Sequence, residues 1–188
     1  MANIPTYTEN NFAFGPGIFK IGPHTTSAGT AGLVDVGAIT EDGISVEITA
    51  EKRDISQGNP KIPVFVFTQA QGVNLSVTGI EWNFDNFAKA LGAGVHTTTS
   101  TEESFAFGGD PLVTQLALQV EHQMAVTGDT LTVNIWKAAS NGGLTLPFTA
   151  DEHSFEYSFK ALRSATDWDG NSLAYTSQLM QIHRAIAP

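Results

Sequence analysis

Apolar and polar residues alternate with period two along most of the chain. Ile44, Val46, Ile48 and Ala50 interleave with Ser45, Glu47, Thr49 and Glu51; Val73, Leu75 and Val77 interleave with Asn74, Ser76 and Thr78. The same pattern recurs at Gln115–Glu121, Thr130–Ile135 and Ser154–Lys160. Each run predicts a strand with one buried and one polar face. Weaker strand signals lie at Ile18–Ile21, Leu33–Ile39, Pro63–Thr68, Ser104–Phe107 and Gln178–His183. Gly15-Pro16-Gly17, Gly108-Gly109-Asp110-Pro111, Thr127-Gly128-Asp129 and Asn141-Gly142-Gly143 predict turns, the third of them closing a hairpin.

One segment follows a different period. Phe84, Phe87, Ala88 and Leu91 recur at three and four residues, Asn83 or Asp85 supplies an N-cap, and Gly92 supplies a left-handed stop. These signals predict a helix of about two turns over about residues 84–91, too short to hold by itself in water. Asp54–Pro63, with Gln57-Gly58-Asn59-Pro60, and Gly92–Glu103, rich in Thr and Ser, are expected to be loops. The N-terminal arm, about residues 1–12, and a short C-terminal arm, Ala185 to Pro188, complete the picture. No repeat or second domain stands out over residues 1–188. The expected fold is mainly β: a sandwich or barrel of two packed sheets with one short flanking helix.

Composition narrows the partners. Of 188 residues, 41% are hydrophobic and only 15% are charged, against about 25% charged in an average soluble domain. Such a surface is either polar and uncharged or covered by other subunits. The net charge is −10 and is spread along the chain. This sign excludes binding DNA by neutralising its phosphates, and suits a wall that DNA must pass without adhering. There is no Cys, so disulfides and thiolate metal sites are excluded. Met1-Ala2-Asn3-Ile4-Pro5 has neither the basic nor the apolar region of a signal peptide. The apolar runs are far shorter than the roughly 20 residues of a membrane helix, and a soluble protein made in a cytoplasm is expected.

The candidate chemistry is thin. His24, His96, His122, His153 and His183 have none of the close spacings of compact metal motifs. Asp167-Trp168-Asp169-Gly170-Asn171-Ser172 resembles a calcium loop on the surface, but its Gly is fourth rather than sixth, and a turn is expected. Glu102-Glu103 and Asp151-Glu152 are loop carboxylates rather than a facing glycosidase pair. Phe155, Tyr157 and Phe159 share a strand face that reads as core rather than as a sugar platform, and Trp82, Trp136 and Trp168 read as core or interface anchors. No catalytic residue, cofactor or metal is expected.

The order of motifs in the first half resembles the major tail tube proteins of long-tailed bacteriophages. Phe14-Gly15-Pro16-Gly17-Ile18-Phe19-Lys20-Ile21-Gly22 opens it, followed by Leu33–Ile39 and Asp42–Ile48. Arg53-Asp54-Ile55 then leads into a long loop, and Val73–Val77 precedes Trp82–Gly92. The resemblance implies a non-enzymatic virion protein made in the host bacterial cytoplasm. Its partner is itself, in stacked and hexameric rings whose sheets join into an inner barrel. It also implies contacts with the tape measure, tail terminator and tail tip proteins, passage of DNA without specific binding, and no membrane. On this reading Asp54, Ile55, Ser56, Gln57, Gly58, Asn59, Pro60 and Lys61 form an inter-ring loop. Glu47, Glu51, Asn74, Ser76 and Thr78 are expected on a polar face turned to the lumen or to the outer surface. The alternatives are a carbohydrate-binding or adhesion sandwich and the tube of a contractile tail or secretion system.

Overall fold

The computed structural model describes residues 15, 17–24, 32–109, 112–148 and 153–186. Over these residues the chain is mainly β, with two sheets and one short α-helix, which is the sandwich class that the alternation predicts. The element order is β1 (Ile18–Pro23), β2 (Val34–Asp35), β3 (Ile39–Gln57), β4 (Ile62–Gly79), α1 (Phe84–Leu91), β5 (Val95–Thr98), β6 (Glu103–Ala106), β7 (Leu116–Gln123), β8 (Thr130–Ser140), β9 (Phe155–Ala161) and β10 (Gln181–Ala185).

Eight strands form one sheet in the order β2-β1-β7-β8-β9-β4-β3, and β10 also pairs with β8. All pairings are antiparallel. β8 divides one edge between two partners: Thr130–Asn134 pairs with β10, and Ala138–Ser140 pairs with β9. β1 and β9 are three strand spacings apart, roughly 14 Å in a flat sheet. Yet the rings of Phe19 and Tyr157 lie edge to face with centroids 5.9 Å apart. The sheet therefore curls on itself, and its concave side is the core. Phe19, Ile21, Leu75, Leu118, Ile135, Tyr157 and Phe159 are all almost fully buried there. Burial, and secondarily the charge of Glu81, pushes the Tyr157 hydroxyl pKa well above its ordinary value.

The helix forms where its caps predict. Asn83 accepts a hydrogen bond from the Asp85 backbone N–H at 2.8 Å, and Gly92 ends the helix at φ 63°. Phe87 and Ala90 are buried; the Phe87 ring meets Phe155 of β9 at 5.2 Å and Phe105 of β6 at 6.2 Å. The helix thus fills the space between the large sheet and the two-stranded β5–β6 sheet. Asn86, also buried, donates to the Val36 carbonyl at 2.9 Å, so a polar residue ties the helix to the β2–β3 connection.

A second, smaller cluster covers the outer side of the sheet. Trp136 and Trp168 pack edge to face at 4.9 Å beside Ala117, and Trp136 donates from Nε1 to the Ser177 carbonyl at 2.9 Å. β10 is fixed by Arg184, whose Nε donates to the buried Asp129 carboxylate at 2.6 Å. That Asp belongs to the Thr127-Gly128-Asp129 turn, which closes the β7–β8 hairpin as expected.

Several sequence expectations need correction. Asp54–Pro63 is not a loop: Asp54–Gln57 belongs to β3 and Ile62-Pro63 to β4, leaving only Gly58–Lys61 as the turn. Gly92–Glu103 contains β5 and the start of β6, a hairpin closed where Thr99 N–H donates to the Glu102 carbonyl at 2.9 Å. Leu33–Ile39 is interrupted, with a strand only at Val34–Asp35 before β3 begins. Ala185, assigned to an arm, is paired with Thr130. The N-terminal arm 1–12, Asp110-Pro111, Asp151-Glu152 and the final two residues lie outside the described residues.

Candidate assembly surface

β3 and β4 form one long hairpin whose two halves have different surroundings. Near the body, Val73, Leu75 and Val77 of β4 are buried, opposite Ile48, Val46 and Ile44 of β3. On its other side β4 pairs with β9, from Asn74↔Lys160 to Gly79↔Phe155. β9 ends at Ala161, and beyond Asn74 no strand among the described residues flanks β4 on that side. Among the described residues β3 has no second strand neighbour anywhere along its length. From Thr49 and Gly72 outward the hairpin therefore projects with both long edges unpaired. Nine β3 residues at about 3.3 Å each make the overhang about 30 Å long.

Its side chains are unusual for an exposed ribbon. Ile62, Val64, Phe65, Val66 and Phe67 form a nearly continuous apolar run, and Phe65 is 61% exposed. Runs without alternation belong to strands buried on both faces. The register puts Arg53 opposite Phe67 and Ile55 opposite Phe65, and on the other face Asp54 opposite Val66 and Lys52 opposite Thr68. Apolar groups thus occupy both faces of the overhang. Two β-bulges interrupt it, between Glu51 and Lys52 and between Ile55 and Ser56. At each, the extra residue, Gln69 or Val64, belongs to β4.

The expected polar positions come together only in part. Glu47 and Asn74 are opposite one another, and Asn74 donates from Nδ2 to the Glu47 carboxylate at 3.1 Å. Ser76 lies between Ser45 and Ser158, and Thr78 is opposite Glu156. This is one polar face across three strands, backed by the core. Glu51 is separate: it lies on the overhang, opposite Ala70. The predicted loop residues divide likewise, Asp54, Ile55, Ser56 and Gln57 on the exposed strand and Gly58, Asn59, Pro60 and Lys61 in its turn.

Charge is distributed unevenly. Residues 49–72 hold three of the nine basic and two of the nineteen acidic residues, a net of +1, which leaves −11 on the remainder. The overhang is the near-neutral part of an acidic protein.

Of the remaining candidates, His122 of β7 lies opposite Leu131 with its Nε2 buried and without a hydrogen-bond partner among the described residues, and the others have structural partners. His24 Nδ1 donates to the Trp136 carbonyl at 2.9 Å. His96 lies between Asp85, 2.7 Å away, and Thr98, 3.1 Å away. His153 packs on the Trp82 ring at 5.0 Å, and His183 sits in β10 opposite Thr132. Among the described residues no group of three His, Asp or Glu side chains is placed to hold a metal ion. Asp167 closes its own turn, accepting from the Asn171 backbone N–H at 2.8 Å and the Asn171 side chain at 3.0 Å. The hydrogen bond from the Asn171 side chain is the main reason its pKa falls below the ordinary carboxylate value. Phe155, Tyr157 and Phe159 are buried, which removes the face that a sugar platform needs. Among the described residues no helix is long and apolar enough to cross a membrane.

Comparison with protein-family models and with curated proteins gives no match. The functional reading rests on this surface and on the pattern of the sequence.

Proposed function

We propose that the chain is a structural subunit that closes into rings and stacks as the tail tube of a long-tailed phage. The observation that carries this reading is the overhanging hairpin, with apolar groups on both faces and two free edges. Such a strand is an aggregation hazard in a monomer and becomes ordinary once neighbours cover it.

The geometry supports a head-to-tail ring. Where copies are related by rotation about an axis running roughly along the strands, β4 of one meets β3 of the next. β3 and β4 run in opposite directions, so every new contact is antiparallel, like those within the subunit. A closed ring leaves no free edge on the overhang, and a heterologous contact that closes is self-limiting. The polar face of Glu47, Asn74, Ser76 and Thr78 and the −11 charge of the remainder offer no phosphate-binding patch. The repulsion of DNA therefore comes from the body more than from the hairpin.

Negative-stain electron microscopy of the purified protein across a concentration series tests the reading. Rings or tubes of uniform bore are expected. A monomer at every concentration overturns it.

A further inference from the structure

A groove of about 370 Å³ lies where β9 leaves β4, with Thr68–Gln71 on one side and Arg163, Tyr175, Gln178 and Leu179 on the other. A second hollow of about 170 Å³ continues it toward Gly72 and Val73, sharing Gln71, Tyr175 and Leu179. The groove runs along the unpaired edge of β4, the edge to which a neighbouring strand would add.

Arg163 is held ready at its wall. It stands two residues beyond the end of β9, and its Nε donates to the Gln178 side-chain oxygen at 2.7 Å. Its guanidinium lies over the Tyr175 ring at 5.7 Å, and that ring is 81% exposed. Both contacts orient the planar group, and neither is to a carboxylate. A guanidinium fixed by a side-chain acceptor and an aromatic face is pre-organised for two-point recognition of a carboxylate.

β3, the strand that would enter, is rich in carboxylates: Glu41, Asp42, Glu47, Glu51 and Asp54. Glu47 already accepts from Asn74. Glu51 is exposed and pairs within its own hairpin with Ala70, a residue of the groove. Rotation about an axis along the strands preserves height, so Glu51 of the next copy arrives level with this groove.

We propose that Arg163 is the receiving group of the contact between subunits and that it binds Glu51 of a second copy of the chain. The proposal rests on the ring reading above and adds the pair that fixes its register. Trapped between the Tyr175 ring and two joined strands, the pair is partly shielded from water, and reversing one charge there sets like charges together.

Sedimentation velocity and electron microscopy on the full chain, Arg163→Glu, Glu51→Arg and the double variant test it. Each single reversal is expected to raise the apparent dissociation constant on the order of tenfold or more, and the double variant to recover most of that loss. Unchanged thermal unfolding of the singles shows that the subunit stays folded. Assembly of Arg163→Glu at the unmodified level overturns the contact while leaving the ring reading intact. So does impairment of both singles without recovery in the double. Failure of the unmodified chain to assemble removes the ring reading and the contact together.

Discussion

The two halves of β4 are one continuous strand in two environments. Val73–Gly79 alternates between buried and half-buried positions, with β3 on one side and β9 on the other. Ile62–Gln71 is exposed at every position and, among the described residues, pairs only with β3. The apolar residues are denser in the exposed half. If folding of the subunit were the only demand on this strand, the densities would be reversed, because burial of apolar surface drives folding. On the proposed reading, the difference separates residues that make the subunit from residues that join it to others.

Substitutions in the two halves of β4 and in the body should act on different properties of the protein. The largest expected effect on stability is in the body: Phe159→Ala, in the curled core, should cost about 3–5 kcal/mol of unfolding free energy, measured by chemical denaturation. Replacing both Phe65 and Phe67 with Ser should change monomer stability by no more than about 0.5 kcal/mol and yet abolish sedimenting assemblies. A large loss of stability from that pair would show that the overhang belongs to the core after all. The smallest effect concerns the Asp167 turn. Its folded-state pKa is lowered, chiefly by the Asn171 side chain, so the turn contributes fully above the ordinary Asp value of about 4. That contribution is lost as pH falls through the depressed value. Asn171→Ala should therefore lower the melting temperature slightly at neutral pH, and the gap should close below about pH 4. A gap that widens with acid contradicts this assignment.

The body was legible in the sequence because its strands have a wet side and a dry side. Leu75 and Ser76, or Tyr157 and Ser158, differ because their environments differ, and alternation records that contrast. The helix was legible through Asn83 and Gly92, whose local chemistry does not depend on packing. The tip of the overhang, Asp54–Pro63, reads as a loop because Asp54, Ser56, Gln57 and Gly58 are common in turns, whereas Pro63–Thr68 beside it reads as a strand and is one. Neither face there is buried within the subunit, so no period-two signal is written. The unalternating run from Val64 to Phe67 was the available clue. Likewise Thr97 to Thr99 is polar on both sides, so β5 carries no alternation although Thr favours strands, while its partner β6 matches the strand signal at Ser104–Phe107. The role of Asn86 was beyond reach, because its partner Val36 is fifty residues away in the chain. Of the proposed polar positions, the sequence grouped Glu51 with Glu47, but the end of β9 separates them.

The bulges at Val64 and Gln69 bear on what happens when subunits meet out of place. The uncharged run Val64–Phe67 has the β propensity of segments that stack into cross-β fibres, where identical strands lie flat and in register without limit, although Pro63 beside it opposes such stacking. Each bulge adds a residue to β4 that has no partner on β3, and so bends and twists the ribbon. Stacked copies would have to match these irregularities layer upon layer. On the proposed ring reading, the same two residues that make the hairpin awkward to pile up would still let it join a neighbour that follows its coil, separating ring closure from fibril growth.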